Sequence, residues 1–438
     1  MTRLFRGFSV AAACLTVGAA ALRAQDTTFR GITITGVYDP SRDKIPIAIL
    51  PISGAFGDSI RTIIDRDLNE NSDRFTRVTV DGDPSGLRTA GTGSGLNYQL
   101  FKSLNAVAIV QITTVGAGLH IALHDVAQAR VARVWEMPLR GAGLGRDWRM
   151  SVHRASDEIE KSVIGKQGIA ATRIAYMRSN AIRIVDSDGA SEITVPTEEM
   201  GSSPAWSPDG SSIVYATYGP GSRIFLMDLA TGRSRPILGP STNTLFLTPE
   251  YSPDGNSILY ARSSGEQSDI YLAPISSPQS ARRLTVVRGL VNTNPVFSPN
   301  SRRVAYVSNA LGRPELYIVD ADGTSNDVLT NYDFSEKNYR SDPDWSPDGR
   351  LIAYQERTND RFQIRTIQVS GSTPKYLTSE GENEQPSWAP DGRHLVFTSS
   401  RTGARQLWIM DTESGHVRQL TRSAGSKLAA WSGHLAGQ

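Results

Sequence analysis

The chain has 438 residues, 46 Lys and Arg against 44 Asp and Glu, and a single cysteine. Near-neutral charge argues against the cationic field that nucleic acid or an anionic membrane surface attracts. One cysteine cannot form a disulfide framework within the chain.

The chain opens MTRLFRGFSVAAACLTVGAAALRAQD: Arg3 and Arg6, an apolar run, then small residues up to Ala24. This is the pattern of a secretory signal peptide over residues 1–24, too short and alanine-rich for a membrane span. Val10-Ala11-Ala12-Ala13 is a poor lipoprotein box ahead of Cys14, so lipidation is not expected. Cleavage leaves 43 basic against 44 acidic residues and no cysteine.

Residues 25–165 read as an α/β domain. KIPIAILPI (44–52) has the continuous apolar character of a buried strand. Asp58 is expected to cap a helix carrying Ile60, Ile63, Ile64 and Leu68, and Ser94 a second carrying Leu96, Leu100 and Leu104. FTRVTV (75–80), AVAIVQI (106–112), GLHIALHDV (118–126) and VARVWEMPL (131–139) are expected strands. A third helix is expected from about Asp147 to Val163, giving a β-α-β-α-β-β-β-α order. GKQGIAATR (165–173) reads as a hinge, with the linker proper at 166–172.

From residue 173 the chain repeats itself. PAWSPDG (204–210), PEYSPDG (249–255), PVFSPNS (295–301), PDWSPDG (343–349) and PSWAPDG (386–392) recur, and AAWSGH (429–434) is a truncated sixth copy. The aromatic positions Trp206, Tyr251, Phe297, Trp345, Trp388 and Trp431 are 45, 46, 48, 43 and 43 residues apart. A period near 40–50 with several short alternating strands per repeat is the signature of propeller blades. IAYMR (174–178) precedes the first aromatic anchor, and Trp431 has no strands after it. The C-terminal strand is therefore expected to join the first blade and close a six-bladed ring over 173–438, which removes its open edges. Proline in these motifs suits a strand start, the aromatic a packing anchor, and Ser-Pro-Asp-Gly a tight turn.

No catalytic constellation emerges. Around Ser94 a hydrolase elbow would need glycine where Thr92 stands. GAGLGR (141–146) ends in Arg146 and fails as a dinucleotide fingerprint. His120 and His124 share one face of a strand, roughly 13 Å apart, too far for one metal, and are expected on a solvated face. No cofactor or metal is expected.

The exported α/β domain, the hinge reading ASDEIEKSVIGKQGIAATRIAYM (155–177), the repeated PxWSPDG turns and the closing AWS strand together resemble the TolB family, periplasmic components of the Tol–Pal system. The resemblance covers essentially the whole mature chain. It implies a non-enzymatic, monomeric adaptor in the periplasm. Its ring would bind the peptidoglycan-associated lipoprotein Pal, and its N-terminal segment TolA, in support of outer-membrane integrity and cell division. The Pal-facing residues implied here are Ser203, Thr248, Asn292, Thr293, Asp342, Glu384 and Lys427, at the propeller mouth. Thr248 lies in LFLTP (245–249), more apolar than the family's loop there. Ile32, Ile34 and Val37, within FRGITITGVYDPSRDKIPI (29–47), stand where the family pairs with TolA, by strand addition. An exported propeller binding a glycan or other small ligand is the alternative, marked by a closed acidic or aromatic pocket. An enzyme would need a cofactor or an acid pair in the channel, such as Asp342 with Glu384.

Overall fold

The computed structural model describes residues 27–29, 32–34, 44–79, 87, 95–218, 221–285, 290–330 and 338–435. The signal peptide, Cys14, Val37 and Ser94 lie outside those residues. Ile32 and Ile34 lie in a short strand, β2 (Ile32–Ile34), paired antiparallel with β1 (Thr27–Phe29).

The N-terminal domain is built on β3 (Ile45–Ile49), whose apolar run is buried on both faces. It pairs in parallel with β4 (Phe75–Arg77) and β5 (Ala108–Val115). Strands β6 (Gly118–Asp125) and β7 (Arg130–Pro138) follow antiparallel, in the order β4-β3-β5-β6-β7. Helices α1 (Gly57–Arg66) and α3 (Arg146–Ile164) cover one face, packing Ile60, Ile64, Trp148, Val152 and Ile159 on Ile47, Val110 and Ile121. Helix α2 (Tyr98–Ser103) covers the other, with Phe101 against Ala48 and Ile109.

Three local expectations are corrected. Asp58 does not cap α1; Phe56 does, with φ 61°, and Asp58 sits in the first turn, where its charge complements the helix dipole. Helix α2 starts later than expected, because the Asn97 side chain accepts the Leu100 N–H at 3.2 Å. His124 is buried rather than solvated: an irregularity in the β6–β7 register at Leu123/His124 displaces it, and Tyr98 of α2 lies 2.8 Å from its Nδ1. His120 stays partly exposed beside Glu136.

The ring has six four-stranded antiparallel blades. The first combines strands from both ends of the ring: Lys427–Trp431 is its inner strand, paired with Arg173–Arg178. The inner strands of blades two to six are Gly201–Trp206, Leu245–Tyr251, Asn292–Phe297, Tyr339–Trp345 and Asn383–Trp388. Each aromatic anchor is buried between its own blade and the one before. Trp431 packs on Ile174 and Tyr176 of blade one and on Val396 and Ile409 of blade six. Burying such a side chain contributes about 2–3 kcal/mol. Tyr176, Tyr215, Tyr260, Tyr306, Tyr354 and Phe397 repeat on the second strands as a further ring of buried aromatics.

The Ser-Pro-Asp-Gly segments are turns. Asp209 Oδ1 accepts from Ser207 Oγ and from the Ser211 N–H, and Gly210 takes φ 70°. Three more of these glycines, Gly255, Gly349 and Gly392, share that conformation. In blade four, Ser301 occupies it, at φ 58°.

Candidate functional site

The prolines of these motifs do not start their strands. Gly201 starts the inner strand of blade two, and Pro204 sits inside it, at a break in register between Ser202 and Ala205. The same break recurs at Leu247/Glu250, Thr293/Val296, Ser341/Asp344, Glu384/Ser387 and Lys427/Ala430. A proline lacks the donor that a bulge leaves unused, so the motif is tolerated there. The residue before it is forced left-handed. Ser203, Thr248, Asn294, Asp342, Gln385 and Leu428 all have φ between 45° and 57°. Six non-glycine residues held in this sparsely populated region encircle one opening.

These six line a central cavity of about 270 Å³. Below them a second tier lines the same cavity: Ala205, Glu250, Val296, Asp344, Ser387 and Ala430. Hydrogen bonds run around the tiers from blade to blade. Asn294 Nδ2 donates to Asp342 Oδ1 at 2.9 Å, and Gln385 Oε1 accepts the Leu428 N–H at 2.9 Å. Asp344 Oδ2 accepts the Trp388 N–H at 2.5 Å, and Ser387 Oγ accepts that of Trp431 at 3.1 Å.

The channel holds three carboxyls whose environment disfavours charge. Burial pushes Glu250 up to about 8, with the Asp344 charge adding to the shift. Burial also raises Asp342 and Asp344 to about 6, although hydrogen bonds from Ser341 and from Trp388 and Ser387 pull the other way.

Of the residues the resemblance implies, Ser203, Thr248 and Asp342 line this cavity. Asn292 does not: it is buried, and its amide joins blade three, donating to the Ser268 carbonyl at 3.2 Å and to Asp269 Oδ1 at 3.4 Å. Thr293, Glu384 and Lys427 precede the ring residue of their blades and are absent from the cavity lining, where Asn294, Gln385 and Leu428 stand. Glu384 pairs with Arg405, 2.9 Å away; burial raises its carboxyl, Arg405 opposes that, and Asp342 adds some repulsion. Counting back one residue from each repeat proline, or its Ala429 counterpart, finds the whole ring. Glu250 and Asp344 were missed because their repeat position is Ala, Val or Ser in the other blades.

Around the opening the rim mixes apolar and charged side chains. Met200, Tyr218, Leu245, Val291, Leu311 and Tyr339 are exposed. All lie at the mouth end of blades two to five: Met200 and Val291 just before an inner strand, Leu245 and Tyr339 at the start of one, and Tyr218 and Leu311 between second and third strands. The same end also carries charges: Glu199 with Arg223 on blade two, Arg357 with Asp360 on blade five, and Glu382, Glu384, Arg405 and Lys427 on blade six and the closing strand.

Away from the mouth, Asp67, His153 and Asp188 form a cluster of potential metal ligands where the α/β domain meets blade one. Its chemistry is that of an ion-pair network. Arg66 and Arg149 both contact Asp188, and His153 Nδ1 lies 2.7 Å from Asp67 Oδ2. The two guanidinium groups supply the positive charge there.

A six-bladed ring with a strained polar mouth, fused to a small α/β domain, defines a two-part β-propeller protein. A family model described as the TolB β-propeller domain matches residues 160–435, and the chain belongs to this family. A Tol-Pal system protein TolB of Bordetella pertussis is 32% identical over 188 residues, 42% of this chain and 42% of that protein. One of Methylococcus capsulatus is 30% identical over 210 residues, 44% and 47% of the two chains. The chain thus matches less than half the length of these curated relatives. The crystal structure of TolB from Acinetobacter baumannii aligns over 89% of this chain and 97% of its own, with a TM-score of 0.75 at 24% identity, which shows the shared fold. Among the described residues, no helix is long and apolar enough to cross a membrane.

Proposed function

We propose that the chain is a non-enzymatic periplasmic adaptor of the Tol–Pal type, which docks a globular protein partner on the propeller mouth. The observation that carries this reading is the mouth itself: six strained residues of mixed polarity inside a rim of exposed apolar and charged side chains. Soluble proteins rarely gather apolar groups on one face without a partner. A partly apolar, partly ionic rim suits a protein interface better than a small-molecule pocket.

The partner implied by the family is the peptidoglycan-associated lipoprotein Pal. Ser203, Thr248, Asn294, Asp342 and Gln385 would meet its polar groups, with Thr293, Glu384 and Lys427 on the surrounding rim. Asn292 would act indirectly, by holding blades three and four together. Ile32, Ile34 and Val37 are proposed to pair with TolA by strand addition. The two contacts together would serve outer-membrane integrity and cell division.

The test is calorimetric titration of the mature protein with the soluble Pal domain of its own organism, beside Leu245→Asp and Tyr339→Asp variants. Binding that both variants lose supports the mouth as the site. Binding that both keep moves the site elsewhere. Absence of binding by the parent protein overturns the adaptor reading.

A further inference from the structure

The hinge between the two domains is bonded by one carboxyl of α3, Asp157, and packs closely against a second, Glu160. Asp157 Oδ1 accepts the Ala170 N–H at 2.8 Å, and its Oδ2 accepts that of Ala171 at 3.0 Å. Glu160, one turn further along α3, is 4% exposed. Gly168 of the hinge lies against both carboxyls. A Cβ there would fall 2.5 Å from Glu160 Oε2 and 2.6 Å from Asp157 Oδ1. No side chain fits between the hinge and the pair.

Charged and titratable groups converge on Glu160 from every neighbouring element. Arg74, between the π-helical turn Asp67–Asn71 and β4, places Nε 3.4 Å from Glu160 Oε1, and Ser72 acts on the same carboxyl. From the ring, the Asp391–His394 pair of blade six faces it, held together at 2.7 Å. Asp67 acts on Asp157, as does Arg154 from α3 itself. His434 stands beside Asp391 and Lys161, and burial favours its neutral form.

Burial raises Glu160 to about 7, against the pull of Arg74 and Ser72 and with the repulsion of Asp391. Burial also raises Asp157 well above the carboxylate range, despite its two backbone hydrogen bonds and with Glu160 adding repulsion. A carboxyl whose folded value lies above its unfolded value binds the proton more tightly when folded. Its stabilising effect is complete below about pH 4.5 and is lost as pH rises to about 7. Two ionised carboxylates one turn apart, facing a hinge backbone in a water-poor seam, are relieved by letting water in.

We propose that Asp157 and Glu160 form a proton-controlled clamp on the hinge. With Glu160 protonated, the hinge is held on α3. With both carboxyls ionised the clamp loosens, and the α/β domain moves more freely against the ring. Such a clamp would make coupling between the two ends of the molecule depend on ambient pH.

Hydrogen exchange on the full chain tests this, read as protection of hinge residues 166–173 at pH 6 and pH 8 after correction for intrinsic rates. The expected result is protection about tenfold lower at pH 8, the equivalent of one unit of proton linkage. Glu160→Gln is expected to keep the pH 6 protection at pH 8. Glu266→Gln, an exposed carboxyl on blade three, is expected to leave the pH dependence intact. Arg74→Gln removes the cation that favours ionised Glu160, so the transition should move to higher pH. The clamp is refuted by equal protection of the parent protein at both pH values. It is equally refuted if Glu160→Gln keeps the parent pH dependence. Should Glu160→Gln not fold, an unmoved transition in Arg74→Gln refutes it instead.

Discussion

Trp431 donates its indole N–H to the Thr172 hydroxyl at 2.8 Å, across 259 positions of sequence. The closing strand of the ring is thereby bonded to the last residue of the hinge. Thr172 in turn donates to the Ile169 carbonyl at 2.6 Å, so ring closure and hinge conformation share one hydrogen-bond chain. Trp431→Phe keeps most of the packing and leaves the hydroxyl without its donor. It is expected to cost about 1 kcal/mol, against about 3–5 kcal/mol for Trp431→Ala. Denaturant unfolding of the two variants measures the difference; equal costs would show that the hydrogen bond contributes nothing.

Glu250 gives a pH-dependent prediction. Its folded value of about 8 lies above the ordinary 4.5, so its protonated form is favoured by folding. That contribution is complete below 4.5 and disappears as pH rises toward 8. Glu250→Gln imitates the protonated form at every pH. Its melting temperature should equal that of the parent at pH 4.5 and exceed it at pH 8, by about 2–4 °C for each kcal/mol of charge penalty removed. Thermal melts at the two pH values decide this, and a constant offset would contradict it.

The repeated turns predict unequal costs for one substitution. Asp209 makes local hydrogen bonds in an exposed turn. Asp391, its counterpart in blade six, is buried among the Arg393 and His394 N–H groups and the His394 ring. Burial opposes its charge, yet His394 and these hydrogen bonds hold its carboxyl well below the usual range. Asp209→Ala should cost about 1 kcal/mol and Asp391→Ala about 3 kcal/mol or more, since the second leaves buried donors unpaired. Chemical denaturation of both variants near pH 7 checks the order.

Blade four carries serine where glycine stands in the turns of blades two, three, five and six, and Ser301 is held at φ 58°. The left-handed region costs an L-residue about 1–2 kcal/mol, partly offset by the extra freedom glycine has when unfolded. Ser301→Gly is expected to stabilise by roughly 0.5 kcal/mol. A melting temperature lowered by the change would show that the serine side chain contributes to the turn.

At the mouth, Leu245→Asp and Tyr339→Asp are expected to weaken partner binding by about tenfold or more, because each puts a charge into an apolar contact. Lys427→Ala should act mainly through salt dependence, as rim charges do. Titrations at two ionic strengths separate the cases, and unchanged melting temperatures confirm that all three positions are surface positions.

Sequence alone determined the architecture of this protein. Six aromatic anchors at a near-constant period, each followed by a turn and short alternating strands, permit little besides blades. The unmatched strand at each end of the repeat, Arg173–Arg178 and Lys427–Trp431, leaves circular closure as the economical solution. Periodicity carries such information because every blade must bury the same kind of face against its neighbour. Tertiary structure alone decided which residues face the channel. A bulge inserts a residue and turns the following side chains to the opposite face, so a displacement of one position separates buried Asn383, rim Glu384 and channel-lining Gln385. It also decided which distant groups share a seam. Asp157 and Glu160 look like ordinary polar residues of an amphipathic helix until the hinge and blade six close over them. Their chemistry comes from that burial, which no local pattern of residues records.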